Sequence, residues 1–147
     1  KKIYDAYNWL TNEIKEKIKT TSIKNYNTTS IQGRVHQKKD IISWELIKKM
    51  YMNPKFISPC HAGSLFGIIT ANGKIYPCEI LEDKLLGNLR DYDMNFMKIW
   101  NDKKTKDARK FIIDSKCNCT YECALSYNIL GNWRYQAQLA SSAFNLD

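Results

Sequence analysis

All five cysteines of this 147-residue chain lie between Cys60 and Cys123, in the order C-x17-C, then 38 residues, then C-x-C-x3-C; the other 83 residues contain none. Soft thiolate donors at that density point to a metal site rather than to scattered core thiols. The first pair, Cys60 and Cys78, brackets a predicted hairpin. Leu65-Phe66-Gly67-Ile68-Ile69-Thr70 and Lys74-Ile75-Tyr76-Pro77 flank Ala71-Asn72-Gly73, and Asn-Gly is the strongest short turn signal. A hairpin returns its ends to one place, so Cys60 and Cys78 are expected to face one centre. The segment Cys117-Asn118-Cys119-Thr120-Tyr121-Glu122-Cys123 is compact enough to supply two or three further ligands from a loop and the first turn of the helix after it.

The length suits one compact domain with its own core. A hydrophobic content of 44%, with 18 aromatic residues, is globular rather than disordered composition. No stretch approaches the roughly 20 apolar residues of a membrane helix, and no leader pattern opens the chain. The chain begins at Lys1 inside a helical pattern, and the expectation is a piece of a longer protein. An odd number of cysteines at this spacing does not suit a disulfide framework, so a reducing, cytoplasmic compartment is expected. The net charge of +8 is concentrated at the amino-terminal end: residues 1–55 carry 12 Lys/Arg against 5 Asp/Glu, residues 56–116 carry 10 against 8, and residues 117–147 carry 1 against 2. Lysines spread along amphipathic helices away from the cysteines read as a solvated face rather than a nucleic-acid footprint.

Ile3, Tyr7, Leu10, Ile14 and Ile18 recur every three or four residues and predict a helix over 2–19 with that stripe buried. Residues 20–34, rich in Thr, Ser and Asn, read as a linker or long loop. Asp40 is expected to cap a second helix with Ile42, Leu46, Ile47, Met50 and Tyr51 on one face, ending before Pro54. Pro59 then keeps Cys60 on a loop. A third short strand is expected to end at Gly87-Asn88. Short helices are predicted over 94–100, with Met94, Met97 and Trp100 on one side, and over 105–115, with Phe111 and Ile112 inward. Two more are predicted, from Thr120 to Gly131-Asn132 and from Tyr135 to Phe144. The fold class is α+β.

Iron–sulfur clusters and structural zinc both take cysteine ligands; zinc sites usually pair two short knuckles, whereas this chain has one close group and two isolated cysteines, which weakens the zinc reading. Cys60-His61-Ala62-Gly63, Ala71-Asn72-Gly73-Lys74-Ile75-Tyr76-Pro77-Cys78 and Cys117-Asn118-Cys119-Thr120-Tyr121-Glu122-Cys123-Ala124, with Leu86-Gly87-Asn88-Leu89-Arg90 and Lys98-Ile99-Trp100 between them, resemble a known family. It is the carboxy-terminal auxiliary-cluster domain of radical S-adenosylmethionine enzymes, of the SPASM or shorter twitch type. The resemblance spans about residues 56–130. It implies a small β-hairpin or short sheet with helices wrapped around a cysteine-ligated [4Fe–4S] cluster, appended to a partial barrel. Residues 1–34 would then be a terminal helix and linker from that barrel, and residues 35–147 the auxiliary domain.

The full pattern of the family has seven cysteines for two clusters, so five imply one. The Cys-x3-Cys-x2-Cys motif that holds the S-adenosylmethionine-cleaving cluster is absent from these residues, so the second [4Fe–4S] cluster and S-adenosylmethionine belong to the barrel, the implied partner. Cys60 and Cys78 match the first two positions of the family. Cys117 and Cys123 are preferred as the remaining ligands, with Cys119 in reserve. The implied role is electron transfer or substrate positioning in peptide or protein modification. The alternative is a structural zinc module binding nucleic acid or a protein partner through the basic helices, with Lys48 and Lys49 in the contact.

His61, beside a ligand position, reads as structural and His36 as exposed. Glu79, Glu82 and Asp83 read as a solvated turn. Tyr76, Trp100, Tyr121 and Tyr127 read as core filling around the site.

Overall fold

The computed structural model describes residues 2–20, 28–54 and 56–144. They form two compact units, one made of Lys1–Ser58 with Cys119–Asp147 and the other of Pro59–Asn118. Six α-helices and one three-stranded sheet are found among the described residues, and no helix there is long and apolar enough to cross a membrane.

The first unit is helical. It contains α1 (Lys2–Lys19), α2 (Ile31–Met52), α5 (Glu122–Gly131) and α6 (Trp133–Ala143). Helix α2 packs against the other three. Its Ile42, Leu46, Ile47 and Met50 meet Leu125, Ile129 and Leu139 in a core edged by Tyr7, Val35, Trp44, Ile57 and Tyr135. Two expectations fail here. The helix starts at Ile31, well before Asp40, because the Ser30 hydroxyl accepts the Gly33 N–H at 3.0 Å and caps it. Arg34 reinforces that start by donating to the carbonyls of Thr28 at 3.0 Å and Ala143 at 2.6 Å. Asp40 lies inside the helix, paired with Lys39. The linker expected over 20–34 is therefore helical from Ile31, and its residues 21–27 lie outside the described residues.

The second failure concerns α1, whose buried face is rotated from the expected stripe. Ile3 and Leu10 are exposed and Ile14 is half-buried, whereas Thr11 is fully buried. The Thr11 hydroxyl donates to the Tyr7 carbonyl at 2.6 Å, so the side chain enters the interior with its hydrogen bond made. The side chain of Ile18 lies outside the described residues. Lys15 pairs with Glu45 at 2.9 Å, as does Lys48. Burial pushes the Glu45 carboxyl up, but the hydrogen bonds and charges of Lys48 and Lys15 outweigh it and leave the group below the ordinary glutamate value. Asn132 joins α5 to α6: its side chain accepts the Arg134 N–H at 3.0 Å and donates to the Ser58 hydroxyl at 3.1 Å.

The second unit is built on the antiparallel sheet β1-β2-β3, from Ile68–Ile69, Lys74–Tyr76 and Gly87–Asn88. Ile69 faces Ile75 and Ile75 faces Gly87. Thr70, Ala71, Asn72 and Gly73 lie between β1 and β2, and because Thr70 pairs with Lys74 the loop itself is Ala71, Asn72 and Gly73. Thr70 N–H donates to the Lys74 carbonyl at 2.9 Å and Gly73 N–H to the Thr70 carbonyl at 2.8 Å. Gly73 closes this turn at φ +85, the left-handed conformation that three-residue hairpin loops require. After β3 come a 3-10 turn (Leu89–Tyr92), α3 (Phe96–Trp100) and α4 (Lys103–Asp114).

Ile75, Leu86, Leu89, Ile99 and Ala108 form the core of this unit, with Tyr92, Phe96 and Trp100 at its edge. Thr105 is fully buried and its hydroxyl donates to the Ile99 carbonyl at 2.7 Å, tying α4 to α3. Ile112 faces inward as expected, but Phe111 is 41% exposed, its ring 4.5 Å from the Lys84 ammonium. Met94 and Met97 are exposed as well, because α3 begins only at Phe96 and buries Ile99 instead.

Candidate metal centre

Each of the three cysteines in the second unit is held by a different local device. Cys60 follows Pro59 in irregular backbone and enters a tight turn, in which the His61 carbonyl accepts the N–H groups of Ser64 at 3.0 Å and Leu65 at 2.9 Å. The turn closes when Gly63 N–H donates to the Phe66 carbonyl at 2.8 Å. Gly63 has φ +70, and a Cβ there would stand 3.3 Å from the Pro77 Cβ. The Cys60 turn is thus packed directly on the residue that precedes Cys78. Cys78 lies two residues beyond β2 and is 8% exposed.

Cys117 is placed by the end of α4. Ser115 caps that helix and Lys116 follows at φ +50. The Lys116 N–H donates to the Ile113 carbonyl at 3.1 Å, and the Cys117 N–H to the Ile112 carbonyl at 3.1 Å. This double closure is a Schellman motif, which usually brings the residue after the left-handed one against the side chain at the third-last helical position. Here those residues are Cys117 and Ile112, and both belong to one apolar cluster.

That cluster comprises Ala62, Cys78 and Ile112, packed with Cys60, Phe66, Leu81 and Cys117. The structure therefore brings together Cys60, Cys78 and Cys117, separated by up to 57 positions in the chain. Cys119 and Cys123 belong to the helical unit: Cys119 is half-buried before α5, and Cys123 is exposed in its first turn. No disulfide links any of the five. Among the described residues no group of three or more His, Cys, Asp or Glu side chains is spaced to hold a single metal ion.

Of the secondary candidates, His61 is half-buried with Nε2 buried, and its backbone builds the Cys60 turn. His36 is 57% exposed at its side chain, 3.9 Å from Asp40. Glu79, Glu82 and Asp83 are exposed, with Asp83 paired to Lys84 at 2.7 Å. That hydrogen bond holds the Asp83 carboxyl below its ordinary value. Tyr76 and Trp100 are half-buried, but Tyr121 and Tyr127 are exposed and do not fill a core. Lys48 is engaged with Glu45 and donates to the Asn8 side chain at 3.3 Å.

Sequence reasoning missed two residues of this site. Lys116 holds the left-handed position that glycine usually marks; the helix predicted over 105–115 does end there, but nothing in the sequence singled out Lys116 as the residue that turns the chain into Cys117. Arg109 drew no reading from the sequence, although its i, i+3 spacing from Ile112 puts both on one face of α4.

Cys60, Cys78 and Cys117, which share one apolar cluster, are soft donors of the type that thiolate-ligated metal centres use. Residues 60–124 match the family model of SPASM, the iron-sulfur cluster-binding domain. The match implies iron–sulfur cluster binding, and the donor chemistry fits, since such clusters are held by cysteine thiolates. Neither a curated protein nor a solved structure matches the chain.

Proposed function

We propose that this chain is the auxiliary cluster domain of a radical S-adenosylmethionine enzyme and holds one [4Fe–4S] cluster on Cys60, Cys78, Cys117 and Cys123, with Cys119 in reserve. The observation that carries the reading is the convergence of Cys60, Cys78 and Cys117 on one apolar cluster inside the segment that matches SPASM. When bound, such a cluster supplies one-electron redox chemistry.

The chain's own residues set the conditions. Cys78 is buried, and Ala62, Phe66, Leu81 and Ile112 surround the thiols with apolar atoms. An apolar shell limits solvent access and lowers the local dielectric, which governs potential. Four thiolates from the chain leave no iron position open, and this supports electron exchange with a substrate radical over direct ligation of a substrate. Cleavage of S-adenosylmethionine is assigned to a barrel elsewhere in the same enzyme, because these residues hold no Cys-x3-Cys-x2-Cys motif. A reducing compartment, the cytoplasm, keeps the thiols available.

Anaerobic reconstitution of the chain with ferrous iron and sulfide tests the reading. The expected product is brown, with about four irons and four sulfides per chain, the content of one [4Fe–4S] cluster. Substitution of Cys60, Cys78, Cys117 or Cys123 by Ala abolishes it, whereas Cys119→Ala retains it. A colourless product carrying one zinc refutes the proposal.

A further inference from the structure

Arg109 is the one basic side chain of α4 that is not exposed, and it links the Cys60 turn to α3. Its Nε donates to the Gly63 carbonyl at 2.5 Å, and its second guanidinium nitrogen donates to the Trp100 carbonyl at 2.9 Å. The guanidinium carbon lies 5.2 Å from the centre of the Trp100 ring. The stem contributes too, since a Cβ on Gly63 would meet the Arg109 Cγ at 3.6 Å and the Pro77 Cβ at 3.3 Å. Gly63 is three residues after Cys60, Pro77 immediately precedes Cys78, and Cys117 extends from the end of the helix that carries Arg109. One helix therefore contacts the supports of all three thiols: through Arg109 at the Cys60 turn, through Ile112 in the apolar cluster, and through its own cap at Cys117.

We infer that Arg109 is a positioning residue for the cluster: its fork fixes the Cys60 turn against α4 and so sets where the Cys60 thiolate stands relative to those of Cys78 and Cys117. The inference rests on the cluster reading above. The physical basis is that a planar fork makes two hydrogen bonds in fixed relative directions, whereas a lysine makes a flexible single-point contact. Outer residues that orient metal ligands contribute to retention of the metal though they never touch it.

The test uses the full chain, reconstituted anaerobically, as wild type, Arg109→Met, Arg109→Lys and Thr105→Val. The Thr105 variant removes the α4–α3 hydrogen bond in the same unit and leaves the cysteine supports alone, so it controls for stability. The readouts are thermal midpoint without iron, iron loss to a competing chelator, and the electron paramagnetic resonance spectrum of the reduced cluster. Arg109→Met is expected to lose iron about 10-fold faster than wild type, the scale of outer-residue effects on metal sites, with an altered spectrum. Arg109→Lys should fall between the two, and Thr105→Val should retain wild-type iron kinetics and spectrum even where its midpoint drops as far.

Equal iron retention and an unchanged spectrum in Arg109→Met overturn the inference, as does loss of iron in proportion to the thermal midpoint across all variants. If Arg109→Met does not fold, Arg109→Lys decides on the same readouts: faster iron loss than Thr105→Val with an altered spectrum supports the inference, and wild-type behaviour overturns it. A wild-type chain that takes up no iron removes the cluster reading, and this inference falls with it; failure confined to the variants leaves the cluster reading intact.

Discussion

Ile112 lies buried in the apolar cluster that also holds Cys60, Cys78 and Cys117, and its removal offers a quantitative test of the site. The residue is 2% exposed and shares one cluster with Ala62 and Cys78, against which Cys60, Phe66, Leu81 and Cys117 pack. Ile112→Ala deletes three carbons, worth about 0.8 kcal/mol each on transfer, so about 2.4 kcal/mol is lost before any cavity is counted. A cavity that does not collapse adds to this, and the expected total is about 3 kcal/mol, within the range for buried Ile→Ala changes. The unit that contains it spans residues 59–118, so the thermal midpoint should fall by roughly 12–24 °C, at about 4–8 °C per kcal/mol for a domain of that size. Ile112→Val should cost only about 1 kcal/mol.

The neighbouring residue supplies the control. Ile113 is 71% exposed, and Ile113→Ala should stay within about 0.5 kcal/mol of wild type. Urea unfolding of the metal-free chain measures the stabilities, and iron per chain after reconstitution measures the site. Ile112→Ala should lose iron content as well as stability, because Cys78 and Cys117 lose the surface they rest on. A loss below about 2 kcal/mol, the low end for buried Ile→Ala changes, or iron content equal to wild type would refute the packing argument.

Three further outcomes follow from the geometry. Gly73→Ala should cost about 1–2 kcal/mol, because φ +85 disfavours a side chain and the new Cβ would stand 2.7 Å from the Asn88 side-chain oxygen that caps the 3-10 turn; differential scanning calorimetry measures it. Lys116→Gly, at φ +50, should be stabilising by about 0.5–1 kcal/mol without changing iron content, since glycine adopts that conformation without strain. Glu45, held below its ordinary value by its two lysines, stabilises the fold above its unfolded pKa of about 4.3, and that contribution is lost as pH falls through the lower folded value. The stability difference between wild type and Glu45→Gln in urea should therefore be present at neutral pH and vanish in strong acid.

Much of the site was legible because its signals are local. The spacing of the cysteines, the Asn-Gly turn and Pro59 each act over a few residues, and the hairpin they predict is present, with Ile69 opposite Ile75 and Gly73 closing the turn. The strand ending at Gly87-Asn88 and the helices after it were legible for the same reason. The start of α2 was not. A Thr/Ser/Asn-rich stretch reads as loop, and the helix begins there with support from Arg34, which reaches a carbonyl 109 positions away.

By itself the sequence determined the class of chemistry, since five thiols in this order suit a thiolate-bound centre and the residues around them carry the SPASM pattern. It determined most of the elements too, because turn residues, caps and apolar periods act through neighbouring backbone. Only the tertiary structure decided which face of α1 is buried, that Lys116 rather than a glycine turns the chain into Cys117, and that Arg109 and Ile112 of α4 meet the supports of three cysteines. The first and last of these depend on contacts between residues far apart in the chain, which a pattern read along it does not contain; the second is local, but it puts a non-glycine residue in a conformation that sequence preference disfavours.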